Sequence, residues 1–129
     1  GEIYLTTALL NRMRTEGQLA AMLAHAAAHV MAADGLAVLP ANPKIAKPMW
    51  QYRPDAEIKA DVLTIKLLSQ AGYDPHAFGH ALTIMAEAYH AGADASFFTT
   101  HPSAPDREKS IEAAIKLVYP DGLPEILSK

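Results

Sequence analysis

Two histidines four residues apart are the first side chains in this chain with chemistry to offer. His25-Ala26-Ala27-Ala28-His29 lies in a stretch of helical spacing. An i, i+4 pair puts both imidazoles on one helix face, about one turn apart. Two neutral imidazole nitrogens at that separation can share one tetrahedral metal ion. The surroundings are almost wholly apolar, where an unpartnered imidazole is costly. Spacing alone is weak, because the chain has six histidines. A second pair, His76 and His80, has no carboxylate placed to complete a site and reads as surface histidines on an amphipathic helix. Glu57 and Asp61, also i, i+4, open the helix that follows the first pair. Taken alone they fit a solvated first turn, where negative charge favours the helix dipole.

The elements that must position these residues can be read from caps and breakers. Thr15-Glu16-Gly17-Gln18 has the form of a capping box, with Thr at the cap and Gln three residues on. The helix it opens should cover about 15–34, with Asp34-Gly35 as its stop. Its apolar residues (Leu19, Met22, Leu23, Ala26, Val30) run nearly all round, so it should be the central, buried helix. Pro40, Pro43, Pro48 and Pro54 exclude a long helix over 36–54, which reads as a loop or flap. A second long helix is expected over about 55–71, with Gly72 past its end. Asp74-Pro75 is a cap followed by Pro at the first helical position, opening a helix over about 75–91. A last helix is expected over about 104–118. Before all of these, Ile3 to Thr7 is short and β-prone and reads as one strand of a small sheet, followed by a short helix over 8–14.

Composition bounds the answer. The chain has 129 residues, half of them apolar and 19% charged, which fits one globular domain covering 1–129. Twenty-five are alanine, the best helix former, which suits closely packed helices. The net charge of -3 and the lack of basic runs argue against nucleic acid or an anionic membrane as partner. With no cysteine, disulfides and thiolate metal sites are excluded. No stretch is apolar for the roughly 20 residues that span a bilayer. The opening residues carry no signal peptide and read as the start of an excised domain.

The ordered blocks carry more than any one motif. Gly1-Glu2-Ile3-Tyr4-Leu5-Thr6-Thr7-Ala8-Leu9-Leu10 comes first, then Gln18-Leu19-Ala20-Ala21-Met22-Leu23-Ala24-His25 and His29-Val30. Glu57-Ile58-Lys59-Ala60-Asp61 and Leu67-Leu68-Ser69-Gln70-Ala71-Gly72-Tyr73-Asp74-Pro75 follow, and Thr100-His101-Pro102-Ser103 with Arg107 ends the series. Together they resemble the HtpX/BepA-type zinc metallopeptidases, gluzincins related to the CAAX prenyl proteases. The resemblance implies a mostly helical α+β fold, a zincin-like metallopeptidase core with a small sheet remnant at the N-terminus. It implies one Zn2+ per chain, protein or peptide substrates, and a bacterial envelope, periplasmic setting. His25 and His29 match the family's two histidine ligands and Glu57 the third. Asp61 matches the acidic residue that orients a ligand histidine. His101 is expected over the metal, as a fourth ligand or an oxyanion contact, against the alternative of a loop histidine held only by Pro102. Arg107 either anchors that loop by pairing with a carboxylate or is a solvated helix arginine.

The family motif is H-E-x-x-H, and its Glu is the general base. This chain has Ala26 there. A methyl group accepts no proton, and the ligands' lone pairs are committed to metal. The expectation is a metalloendopeptidase domain whose zinc site survives and whose hydrolysis does not. Ala26 is either an engineered knock-out or the mark of a natural pseudoenzyme, a zinc-bearing peptide-binding or chaperone-like module. A metal-free helical scaffold is the third class. Tyr73 and Tyr89 read as packing residues; Trp50 and Tyr52 form either a lid over the cleft or a cover for the core edge. In zincins an edge strand beside the metal holds the substrate as an added strand. The strand sequence found upstream in relatives is absent here, so either the sheet is incomplete or a second chain supplies the strand.

Overall fold

Several helix ends among the described residues fall where a backbone group finds a substitute partner. The computed structural model describes residues 2–32, 54–91 and 104–127. Helix α1 spans Thr7–Leu10, with the Thr6 hydroxyl accepting from the Leu9 N–H. It is shorter than the 8–14 expected, and Thr7 belongs to it and not to a strand.

Helix α2 spans Glu16–Met31. Its capping box is complete: Thr15 Oγ1 accepts from Gln18 N, and Gln18 Oε1 accepts from Thr15 N. Helix α3 spans Pro54–Gln70. A proline at its first position costs nothing, since that N–H has no helical partner. It ends in a Schellman pattern: Tyr73 N donates to Leu68 O and Gly72 N to Ser69 O. The motif needs a left-handed residue after the last turn, and Gly72 sits at φ +84.

Helix α4 spans Ala77–Ala91, two residues later than Pro75. Asp74 accepts from His76 N at 2.9 Å within the turn that leads into the helix. Helix α5 spans Ala104–Val118, and a 3-10 turn, Glu125–Leu127, follows it.

Four helices share one core. Helix α2 packs on α3 and α4, and α5 packs on the same two from the far side. Phe78, Ile65, Leu68 and Ile111 are fully buried, with Ala21 and Ala81 between them. The small side chains let the helices close up. At Gly17 the approach is tight enough that an added Cβ would meet the Ala77 Cβ at 3.2 Å. Tyr73 packs against this cluster.

The fold is mostly helical, and the sheet remnant does not appear among the described residues. Residues 2–6 are irregular, and the backbone groups of 2–5 find no hydrogen-bond partner there. Five β-prone residues form a strand only beside another strand, and none of the described segments offers one. No described helix is long and apolar enough to cross a membrane. Of the loop read over 36–54, Pro54 instead opens α3, and the rest, with Trp50 and Tyr52, lies outside the described residues.

Candidate metal centre

Packing of α2 on α3 brings two stripes together. His25 and His29 lie one turn apart on α2. Glu57, Asp61 and Thr64 fall at i, i+4 and i+7 on α3, which is one face of a helix. Helix α5 adds Arg107, and α4 places Phe78 beneath the His25 ring, with centroids 5.1 Å apart. Every helix of the core thus contributes a side chain to one spot.

Three donors converge there. His25 Nε2 and His29 Nε2 are 3.2 Å apart. Glu57 Oε1 is 3.5 Å from His29 Nε2, and Oε2 is 3.6 Å from His25 Nε2. Among the described residues this is the one group of three or more such side chains with ligand atoms this close. A tetrahedral zinc with bonds of 2.0–2.1 Å needs ligands about 3.3 to 3.4 Å apart. The two nitrogens stand near that separation, and each has one of the two Glu57 oxygens 3.5–3.6 Å away. At 3.2 Å the two imidazole nitrogens share either a proton, with His29 Nε2–H donating to His25 Nε2, or a metal ion. Glu57 Oε2 is buried and makes no hydrogen bond, although the Arg107 guanidinium stands 2.8 Å away as a charge partner.

The tautomer of His25 is set from behind. The Thr64 hydroxyl donates to Ala60 O at 2.7 Å. Its oxygen is then an acceptor for His25 Nδ1–H, 3.3 Å away. That leaves Nε2 bare and aimed at the triangle. Asp61 Oδ1 is 3.6 Å from the same Nδ1, beyond hydrogen-bond reach, and acts on the ring through its charge. Asp61 bonds instead to Arg107, whose Nη2 lies 2.8 Å from Oδ1. Arg107 is 4% exposed, so it is no solvated arginine; its Nη2 is also 2.8 Å from Glu57 Oε2.

Thr64 was not singled out from the sequence. Its signal was there: a hydroxyl seven residues after Glu57, on the same stripe, among Val62, Ile65 and Leu68. His76 lies apart from the triangle. It pairs with Asp74 at 2.7 Å and approaches Glu112 at 3.5 Å, but with His80 these carboxylates complete no metal-holding group among the described residues, as the sequence reading expects. His80 is exposed. His101 lies outside the described residues, as does the side chain of Tyr89.

Ala26 is half-buried on the wall of a cavity of about 460 Å³. Ile3, Leu5, Leu9, Met22 and Ala88 line it too, with Arg12 the one charged residue among the described lining. The cavity therefore runs from the N-terminal segment to the residue next to His25.

Burial pushes the Glu57 carboxyl up, but contact with His25 and the charges of Arg107, His25 and His29 outweigh it. The group is brought down to about 2 from an ordinary 4.5. A depressed carboxylate stabilises the fold fully above its unfolded value and loses that contribution as pH falls. In chelated protein, urea midpoints of the parent and of Glu57→Gln should differ most above about pH 4.5 and converge toward pH 2. A gap that stays constant across that window would show that Glu57 is not held by these charges.

Comparison with known proteins agrees with this geometry. The model of peptidase family M48 matches residues 1–42 and 38–115. The chain is 28% identical to the mitochondrial metalloendopeptidase OMA1 of Arabidopsis thaliana over 88% of its own length, and spans 28% of that relative. No solved structure gives a significant match. With the family match covering most of its length, and with two histidines and a glutamate brought together between α2 and α3, the chain belongs to peptidase family M48.

Proposed function

We propose that this chain is the zinc-holding core of a metalloendopeptidase of the HtpX/BepA type, acting on protein or peptide substrates and disabled at its general base. The observation that carries this reading is the donor triangle of His25, His29 and Glu57, with Ala26 beside it on the cavity wall. When bound, zinc supplies a Lewis acid that polarises the scissile carbonyl and makes water more acidic. The residues do the rest. Thr64 fixes the His25 tautomer, Phe78 backs its ring, and Arg107 with Asp61 fixes the charge around Glu57. The cavity between Ile3 and Ala26 receives a substrate side chain. The unpaired backbone of residues 2–5 is the edge on which a substrate strand, or a strand from a flanking segment or second chain, adds.

Proton transfer is the step this chain lacks. Ala26 offers no acceptor, and no ligand is free to replace it. The same residue favours the second reading, a zinc-bearing peptide-binding or chaperone-like module without turnover. A periplasmic, envelope-associated setting is the expectation that goes with the HtpX/BepA likeness. His101 remains the candidate fourth ligand or oxyanion contact.

Metal content tests the common ground of both readings. After chelator-free purification, elemental analysis should return about one zinc per chain, and His29→Ala should lose it, since a site with two ligands binds far more weakly than one with three. Less than about 0.2 zinc per parent chain would leave a metal-free scaffold as the better reading.

A further inference from the structure

Arg107 stands closer to the donor triangle than an anchoring residue needs to. A guanidinium nitrogen of the Nη type has two hydrogens. Those of Nη2 are taken by Asp61 Oδ1 at 2.8 Å and His25 Nε2 at 3.2 Å. Nε reaches Asp61 Oδ2 at 3.5 Å. Glu57 Oε2 is 2.8 Å from Nη2 yet has no hydrogen-bond partner, so charge alone holds it. His25 Nε2 is also a corner of the triangle. An imidazole nitrogen has one lone pair, and it cannot serve a guanidinium proton and a metal ion together.

We propose that Arg107 is a positioning residue that acts as a resident cation in the donor set: it keeps Glu57, Asp61 and His25 assembled when metal is stripped, and metal entry displaces it from His25 Nε2. This rests on the reading of the triangle as a metal site. The physical ground is charge. Glu57 and Asp61 are two carboxylates largely out of water, and Arg107 is the guanidinium between them. Without it, two like charges face each other in a poor solvent for either. A divalent ion supplies that missing charge. Loss of Arg107 therefore damages the stripped protein far more than the loaded one. By linkage, the folded variant also binds metal more tightly, because a competitor has gone.

Thermal melts at neutral pH, with EDTA or with saturating Zn2+, test this on the parent, Arg107→Gln and Arg107→Lys. The Gln variant should lose roughly 10–20 °C under EDTA and less than half of that with zinc, so that its gap between the two conditions widens. The Lys variant keeps the charge and should stay nearer the parent under EDTA. A Gln variant that folds only with zinc supports the proposal. Equal losses in both conditions, a Lys variant as weak as Gln, or a Gln variant that zinc does not rescue would each overturn it. If the parent itself shows no gap, the metal reading fails and this proposal fails with it. A parent gap that the Gln variant leaves unchanged removes this proposal alone.

Discussion

Ala26→Glu should raise zinc-dependent peptide hydrolysis about 10²- to 10⁴-fold over the chain as it stands. The residue follows His25 on α2, so its side chain is rotated about 100° from the ligand face. That places a longer side chain beside the ligands and not between them, where an attacking water would lose its proton. Ala26 lines the cavity, so the added atoms extend into open space, whereas Ala21 and Ala28 on the same helix are fully buried and would not tolerate them. A quenched peptide or casein assay with zinc, with and without chelator, measures the gain. Ala26→Gln has the same length and takes no proton, so it controls for shape. If Glu gives no more activity than Gln, the base is not what this chain lacks, and the non-catalytic reading gains.

Phe78→Ala should destabilise the fold by about 3–5 kcal/mol, the usual cost of emptying a large aromatic site in a packed core. The side chain is 0% exposed and belongs to the cluster that joins α2, α3, α4 and α5. That loss corresponds to a fall in melting temperature of roughly 10–20 °C for a chain of this size. The ring also backs His25, so zinc affinity should fall alongside stability, while Phe78→Leu should spare most of both. Urea denaturation and a competition titration for zinc report the two effects separately. A loss under about 1 kcal/mol would show that the four helices do not depend on a shared core at Phe78.

How much of this was legible beforehand depended on how local each signal was. Thr15 and Gln18 meet within one turn, so the start of α2 could be read directly from the sequence. Gly72 and the Asp74-Pro75 step likewise mark ends that three or four neighbouring residues fix among themselves. The stretch from Ile3 to Thr7 was read as a strand from β-propensity, but a strand depends on a partner that propensity does not describe. Thr7 instead joined α1, because the Thr6 hydroxyl was at hand to cap it.

The candidate site divides the same way. Spacing along one helix fixed that His25 and His29 share a face and that Glu57 and Asp61 share another, while the role of Ala26 is only what the family resemblance implies. Spacing did not say that the two faces meet, and likeness to a family was needed to expect it. The packing of α2 on α3 decided the 3.2–3.6 Å triangle. Contacts across 39 residues put Thr64 and not Asp61 within hydrogen-bond distance of His25 Nδ1. Burial of α5 against α3 turned Arg107 from a surface candidate into the cation between two carboxylates. A helical period specifies direction from an axis, and only the packing of axes specifies distance between side chains; ligand sets and charge clusters are matters of distance.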